Sequence, residues 1–317
     1  MHPRHLFVSA AGLLVGLLLV TDASAIIRRH DVADSQYVIE ASDYPGVVDL
    51  LAPGDCVATL IAPRWLITAA HCATNLNANA TLTVAGVSYA VSATQIPSSW
   101  NDDTDDIALV QLAEPVEGVT PIPIYRGEDE QDQLVWFVGR GDTNTGLEGQ
   151  SGAAVDGQTR KASNRIVDAD QWWISFVFNS PDDAEVTDLE GISGDGDSGG
   201  PALLETAEAT WVVGLSSYQD EGNHALGTYG VEEFYTRVSR YADWIDSFVP
   251  AAPAPRPDTP DTTDDDASQA TDDDLGPDEP SAPEDEEGAE GQDEEKPESW
   301  YVMVGPGFGA ANHDKAE

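Results

Sequence analysis

The sequence predicts an all-β domain over residues 26–249, closed by one helix and followed by an acidic tail with no fold of its own. Three observations predict it. Short β-prone apolar runs recur between clusters of Gly, Pro, Asn and Asp, the pattern of an all-β sandwich or barrel. A single apolar stripe at helical spacing appears at the end of that region. Beyond about Ala251 large apolar residues nearly vanish.

Residues 1–25 read as a secretory signal. A charged start at Arg4 precedes the apolar run Leu6 to Val20, and Ala23-Ser24-Ala25 forms an A-x-A cleavage site. The run is short for a membrane span, with an uncleaved anchor as the lesser alternative to a cleaved signal, and no other segment is long and apolar enough to cross a bilayer. Strands are expected at Val57–Ile61, Trp65–Ala69, Leu82–Val84, Ile107–Leu112, Leu134–Val138, Gln171–Val177 and Trp211–Ser216. Val238, Tyr241, Ile245 and Phe248 share one helical face, and Pro250 ends that helix. Residues 250–298, rich in Pro, Asp, Glu, Thr and Ala, bury too little apolar surface to offset ordering entropy and are expected to be disordered. The apolar stretch Trp300-Tyr301-Val302-Met303-Val304-Gly305, within residues 299–317, is either a docking element or an inert end.

Gly196-Asp197-Ser198-Gly199-Gly200-Pro201 places a serine in a turn where glycines permit backbone angles that other residues avoid. Alone it is equally a polar surface turn. Two further segments, Thr68-Ala69-Ala70-His71-Cys72 and Asp106-Ile107-Ala108-Leu109-Val110, change its meaning. In the order His, Asp, Ser, the three resemble the chymotrypsin/trypsin family of serine proteases, whose order differs from that of subtilisins and α/β-hydrolases. The resemblance covers roughly residues 26–249.

That resemblance implies two six-stranded antiparallel β-barrels with the cleft between them and the helix packed outside. It implies that Ser198 attacks a peptide carbonyl, His71 moves the proton and Asp106 orients the imidazole. The backbone N–H groups of Gly196 and Ser198 would bind the oxyanion. Neighbouring acids Asp102, Asp103 and Asp105 are expected to be solvated. The only cysteines, Cys56 and Cys72, match the family disulfide that pins the histidine loop, a bond worth about 3 kcal/mol by chain entropy. Gly194 stands where many members carry another cysteine. The family's freed apolar N-terminus would here be Ile26, paired with Asp197, so that signal removal itself would activate the chain. Arg28-Arg29, in place of the family's two glycines, is a departure that should fit poorly in that channel. At the substrate pocket, Ile192 implies an apolar floor, while Glu233 could admit a basic side chain or point to solvent. Ser217, Tyr218 and Gln219 match the segment that pairs with substrate backbone, although Ser217 is equally an ordinary strand serine.

The formal charge is −44; residues 251–317 hold 21 acids and 3 bases, a net of −18, which leaves −26 on the first 250 residues. Such a surface repels itself at low ionic strength and is screened in about 1 M salt, where the Debye length is roughly 3 Å. The expectation is a salt-adapted protein, against an acidic surface of no special purpose. Nucleic acid is excluded as a partner by this charge. No EF-hand-like loop accompanies the Asp runs, and the chemistry needs neither metal nor cofactor. The expected partners are polypeptide substrates, and the expected state is a secreted monomer. Two other classes remain: a protease-fold binding protein without turnover, and an acidic protein that captures cations or partners.

Overall fold

A computed structural model of the chain describes residues 26–250, apart from 78, 102, 103, 151–155 and 221. The expected signal at 1–25 and the segments beyond Pro250, including 299–317, lie outside the described residues, as do Asp102 and Asp103.

The regular structure of the described chain is almost wholly β. Two short strands, β1 (Ile27–Arg28) and β2 (Val38–Ile39), precede a six-stranded antiparallel sheet. That sheet comprises β3 (Val47–Asp49), β4 (Val57–Ala62), β5 (Trp65–Thr68), β6 (Thr81–Val84), β7 (Val87–Gln95) and β8 (Ala108–Leu112). Its order is β3-β4-β5-β8-β7-β6, and β3 and β6 come close enough that the barrel nearly closes.

The second sheet is built on six strands of five residues or more. They are β9 (Leu134–Gly139), β10 (Thr159–Arg165), β12 (Trp173–Val177), β14 (Pro201–Glu205), β15 (Thr210–Asp220) and β16 (Glu232–Arg237). Two-residue edge strands, β2 and β11 (Asp168–Ala169), bring it to eight, in the order β11-β12-β16-β15-β14-β9-β10-β2. A separate pair joins β1 to β13 (Gly191–Ile192).

Side-chain alternation explains which strands are legible. Along β4, β5 and β8, Ala58, Leu60, Leu66, Val110 and Leu112 fill the first barrel, while Val57, Trp65, Ile67 and Leu109 face the other way. The outward set meets Val138, Leu203, Val212 and Leu215 of the second barrel in one shared cluster. Strands buried on both faces read as continuous apolar runs. β6 has one wet face and alternates, with Thr81 and Thr83 exposed and Leu82 and Val84 buried. Inside the second barrel Phe137 stacks on Tyr235 with centroids 4.9 Å apart, and Phe176 meets both edge-on.

The closing helix is shorter than the stripe suggested. A 3-10 turn over Val238–Tyr241 leads into α2 (Ala242–Asp246); Val238, Tyr241 and Ile245 insert into the cluster between the barrels, and Phe248 packs at its edge. Five of the seven expected strand regions match within one residue at each end, while β7, β10 and β16 carry no comparable apolar run, and β14, with its short run Ala202-Leu203-Leu204, was not expected. In β10 the polar sequence conceals Arg160, which is fully buried and forms two hydrogen bonds to Asp34 and two to Asp156.

Candidate active site

The register of the first barrel brings the histidine and aspartate segments together. β5 runs antiparallel to β8 with Thr68 opposite Ala108. The chain leaving β5 therefore passes the chain entering β8. His71 lies on the single turn α1 (Ala70–Ala73), and Asp106 lies two residues before β8. His71 Nδ1 is 2.8 Å from Asp106 Oδ2, and the His71 backbone N–H donates to Asp106 Oδ1 at 2.9 Å. From the second barrel, the Ser217 hydroxyl donates to Asp106 Oδ2 at 2.6 Å, and that of Thr236 to the Asp106 carbonyl at 2.7 Å. Ser217 is thus not an unengaged strand serine. Burial works to raise the Asp106 carboxyl; the His71 ring, the Ser217 hydroxyl and the His71 amide outweigh it and hold Asp106 below its ordinary value.

Asp105 is not solvated. It is buried with φ at 62° and accepts a hydrogen bond from Tyr241 Oη at 2.8 Å, so the chain before Asp106 is fastened to the closing turn.

Ser198 is positioned from both barrels. Its carbonyl accepts from the Val57 N–H of β4 at 2.8 Å; Gly199 N–H donates to the Ser216 carbonyl at 2.8 Å, and Ser216 N–H returns a bond to Gly200 at 2.9 Å. The disulfide between Cys56 and Cys72 lies beneath this junction. Among the described residues no hydrogen bond joins the Ser198 hydroxyl to His71. Nε2 instead lies 3.4 Å from Cys72 Sγ, which is 3.5 Å from the Ser198 carbonyl oxygen. Catalytic contacts of this kind often tighten only around substrate. The Cys56, His71 and Cys72 ligand atoms lie within 4.8 Å of one another, but both sulfurs are committed to the disulfide.

Gly196 has φ at 90°, and a Cβ there would sit 2.0 Å from the Gly54 carbonyl oxygen, so no side chain fits. Among the described residues, nothing accepts from the backbone N–H of Gly196 or Ser198. Gly194, lacking the family's cysteine, is fixed by contact instead: a Cβ would fall 2.0 Å from the Asp142 carbonyl.

Asp197 is buried. Its Oδ1 accepts from the backbone N–H of Arg140 (2.7 Å) and Gly141 (2.6 Å), and its Oδ2 from Gly194 (2.9 Å) and Ile26 (3.1 Å). Burial raises its carboxyl to about 6, against the pull of those four amides. Ile26 is 1% exposed, and β1 lies on β13 with Ile27 opposite Ile192. The expected misfit of Arg28 and Arg29 does not arise. Both leave the channel: Arg28 pairs with Asp34 at 2.9 Å and Arg29 with Asp31 at 2.7 Å.

Beside Ser198 opens a cleft of about 260 Å3, lined by Ser193, Gly194, Asp195, Ser216, Ser217, Tyr218, Gln219 and Glu233, with Gln150 and Leu226 at its edge. Glu233 is inside it and not turned to solvent. Ile192 does not line it; that side chain packs with Ile27, Phe178 and Val231. Gln150 and Leu226 had no sequence signal, since neither sits in a motif. Three larger clefts, of about 470–500 Å3, include none of His71, Asp106 and Ser198.

The chain matches a family model described as Trypsin over residues 37–245. It is 28% identical over 250 residues to transmembrane protease serine 11C of Mus musculus, covering 70% of this chain and 54% of that protein. To vitamin K-dependent protein C of Rattus norvegicus it is 29% identical over 222 residues, covering 61% and 46%. The chain therefore spans about half the length of these relatives.

The state of Asp197 gives a pH prediction. With residue 25 attached, Ile26 supplies only an amide, and burial raises the folded carboxyl to about 6, above its ordinary value of 3.8. The stabilisation is then complete below the unfolded pKa and lost as pH rises through about 6. A chain beginning at Ile26 offers an ammonium, so its stability should exceed that of the extended chain by a margin that grows from pH 4 to 7. Denaturant titration of the two chains measures this; a margin independent of pH contradicts it.

Proposed function

Because this chain belongs to the trypsin family, we propose that it is a secreted serine endopeptidase working through His71, Asp106 and Ser198. The observation that carries the reading is the Asp106 carboxylate, held by His71 from one barrel and Ser217 from the other, beside the cleft that contains Ser198. In this mechanism Asp106 keeps the Nδ1–H tautomer and stabilises the imidazolium that forms. His71 Nε2 takes the Ser198 proton as Oγ attacks the carbonyl carbon. The Gly196 and Ser198 N–H groups meet the developing oxyanion; losing one such donor typically costs about 3–4 kcal/mol. His71 then protonates the leaving amine, and water repeats the sequence on the acyl-enzyme.

Removal of residues 1–25 by signal peptidase would free the Ile26 amino group directly beside Asp197. A buried carboxylate bonded only to amides gains a counter-charge by that step. Activity should then belong to protein whose first residue is Ile26. Full activity in a mature chain starting well downstream would contradict this.

Salt adaptation is supported by the first 250 residues, which carry −26. Eight of the Arg and Lys residues in the described chain are already in ion pairs, so little positive charge is left to offset the acids. The fold should lose activity or unfold on dialysis from molar salt into dilute buffer; equal stability in both contradicts the reading.

A fluorophosphonate probe tests the nucleophile. The wild-type chain should label at Ser198, and Ser198→Ala and His71→Ala should abolish labelling and reduce peptide hydrolysis by roughly 10^4-fold or more. An intact, folded wild type that never labels would point instead to a binding protein without turnover.

A further inference from the structure

Keeping Ile26 beside Asp197 is costly whether or not residue 25 is attached. With it attached, Ile26 has φ at 67°, and a β-branched residue stays in that left-handed region only where its surroundings over-determine it. Once the end is free, an ammonium must leave water to reach a buried carboxyl. β1 pairs just two residues with β13, and so short a pairing is marginal alone. Arg28 also exchanges backbone bonds with Asn144 and Gly146 at 3.0 Å, but both lie on a connecting loop. The tie to a barrel strand comes from the Arg28 side chain.

Arg160 on β10 is fully buried and holds two carboxylates. Its Nε and Nη2 donate to Asp34 at 2.9 and 2.8 Å, and its Nη1 and Nη2 to Asp156 at 3.4 and 3.1 Å. This trio carries one negative charge in excess. Arg28 cancels it, with its Nε 2.9 Å from the same Asp34 oxygen that Arg160 Nε holds. Charges sheltered from water are tolerated only when paired, so the trio favours a cation where Arg28 stands. Ile27 and Ile26 directly precede that cation. Arg29 contributes less: its carboxylate partner, Asp31, belongs to the same short segment, and Nη1 donates to the Thr187 carbonyl at 2.9 Å.

Asp34 belongs to the body of the second barrel. It opens a 3-10 turn, Asp34–Gln36, that leads to the fully buried Tyr37, whose hydroxyl donates to the Glu190 carbonyl at 3.0 Å. Next comes β2, in which Val38 pairs with Arg160 itself. On its other side Arg160 pairs with Gly139 of β9, and the following residues, Arg140 and Gly141, donate to Asp197 Oδ1. The network therefore borders two of the stretches that hold Asp197, through Arg28 and through β9.

Resting on the peptidase reading above, we infer that Arg28, Asp34 and Arg160 form an electrostatic clamp that keeps Ile26 against Asp197, and that Arg28 is thereby a positioning residue for the amides of Gly196 and Ser198. The clamp takes in the two arginines that composition alone makes look misplaced, one at the chain end and one inside the barrel. Its kinetic signature is specific. Amides that meet an oxyanion act in the transition state, so a loosened clamp lowers kcat and leaves KM nearly unchanged.

The test uses chains that begin at Ile26 and run to Glu317: wild type, Arg28→Met, which keeps length without charge, and Arg28→Lys, which keeps the charge. Peptide hydrolysis gives kcat and KM, and mass spectrometry of the N-terminal peptide gives the rate at which cyanate carbamylates the Ile26 amino group. Arg28→Met should lose roughly 10-fold in kcat, the scale expected on removing one partner from a partly sheltered charge pair, with Ile26 carbamylated correspondingly faster. Arg28→Lys should keep most of the wild-type kcat and protection. Wild-type kcat in Arg28→Met, a loss of kcat with Ile26 still protected, or equal losses in Arg28→Met and Arg28→Lys overturns the inference and leaves the peptidase reading intact. If Arg28→Met does not fold, the double variant Arg28→Met with Asp156→Asn, whose remaining charges cancel again, is judged by the same two readings. A folded wild type that neither hydrolyses peptides nor labels with a fluorophosphonate overturns the peptidase reading, and this inference with it.

Discussion

The buried Asp197 carboxylate is the constraint on which the position of Ser198 depends. Its four N–H donors come from three separate stretches: Ile26 before β1, Arg140 and Gly141 at the end of β9, and Gly194 on the Ser198 loop itself. A charge so deep is tolerable only where several donors converge on it. The convergence ties the start of the domain to the turn that presents Ser198. Gly196, at a backbone angle few other residues tolerate, follows from the same turn. The amides that would meet an oxyanion are therefore set by the depth of a neighbouring carboxylate and not by any side chain of their own.

A second constraint operates between the barrels. Strands β4, β5 and β8 use both faces, one set filling the first barrel and the other meeting β9, β14 and β15. Next to this shared layer, both barrels take part in holding Asp106 and Ser198, while the cleft beside Ser198 is lined by residues 150–233 alone. Asp106 is held by His71 of the first barrel and by Ser217 and Thr236 of the second. Ser198, from the second, is held by Val57 of the first. Sliding one barrel on the other would break several of these bonds together, which makes the layer between them as much part of the chemistry as the side chains.

Each of the three motif segments is a local pattern (a serine between glycines, a histidine after an apolar strand, an aspartate before one), but only their combined order carried the resemblance. The doubly buried strands were also readable, since continuous apolar runs have no other economical place. β10 was not, because Arg160 is buried on the strength of Asp34 and Asp156, and Asp34 lies 126 residues away. β7 was not, because none of its residues is fully buried and it carries no continuous apolar run. The pocket was the hardest part. Whether Ile192 or Glu233 faces the cleft depends on the pairing of β13 with β1 and on the inward phase of β16, neither visible from composition. Arg28 and Arg29 looked obstructive only because Asp34 and Asp31 could not be placed as their partners outside the channel.

The central claim is that an imidazole, a hydroxyl and two backbone amides from separate parts of the chain act on one carbonyl. A crystal structure with a peptide boronate bound tests it most directly. The account predicts boron bonded to Ser198 Oγ, one boronate oxygen facing the N–H groups of Gly196 and Ser198, and His71 Nε2 turned from Cys72 towards the adduct. Boron on any other residue, or an adduct whose oxygens meet neither amide, would contradict it.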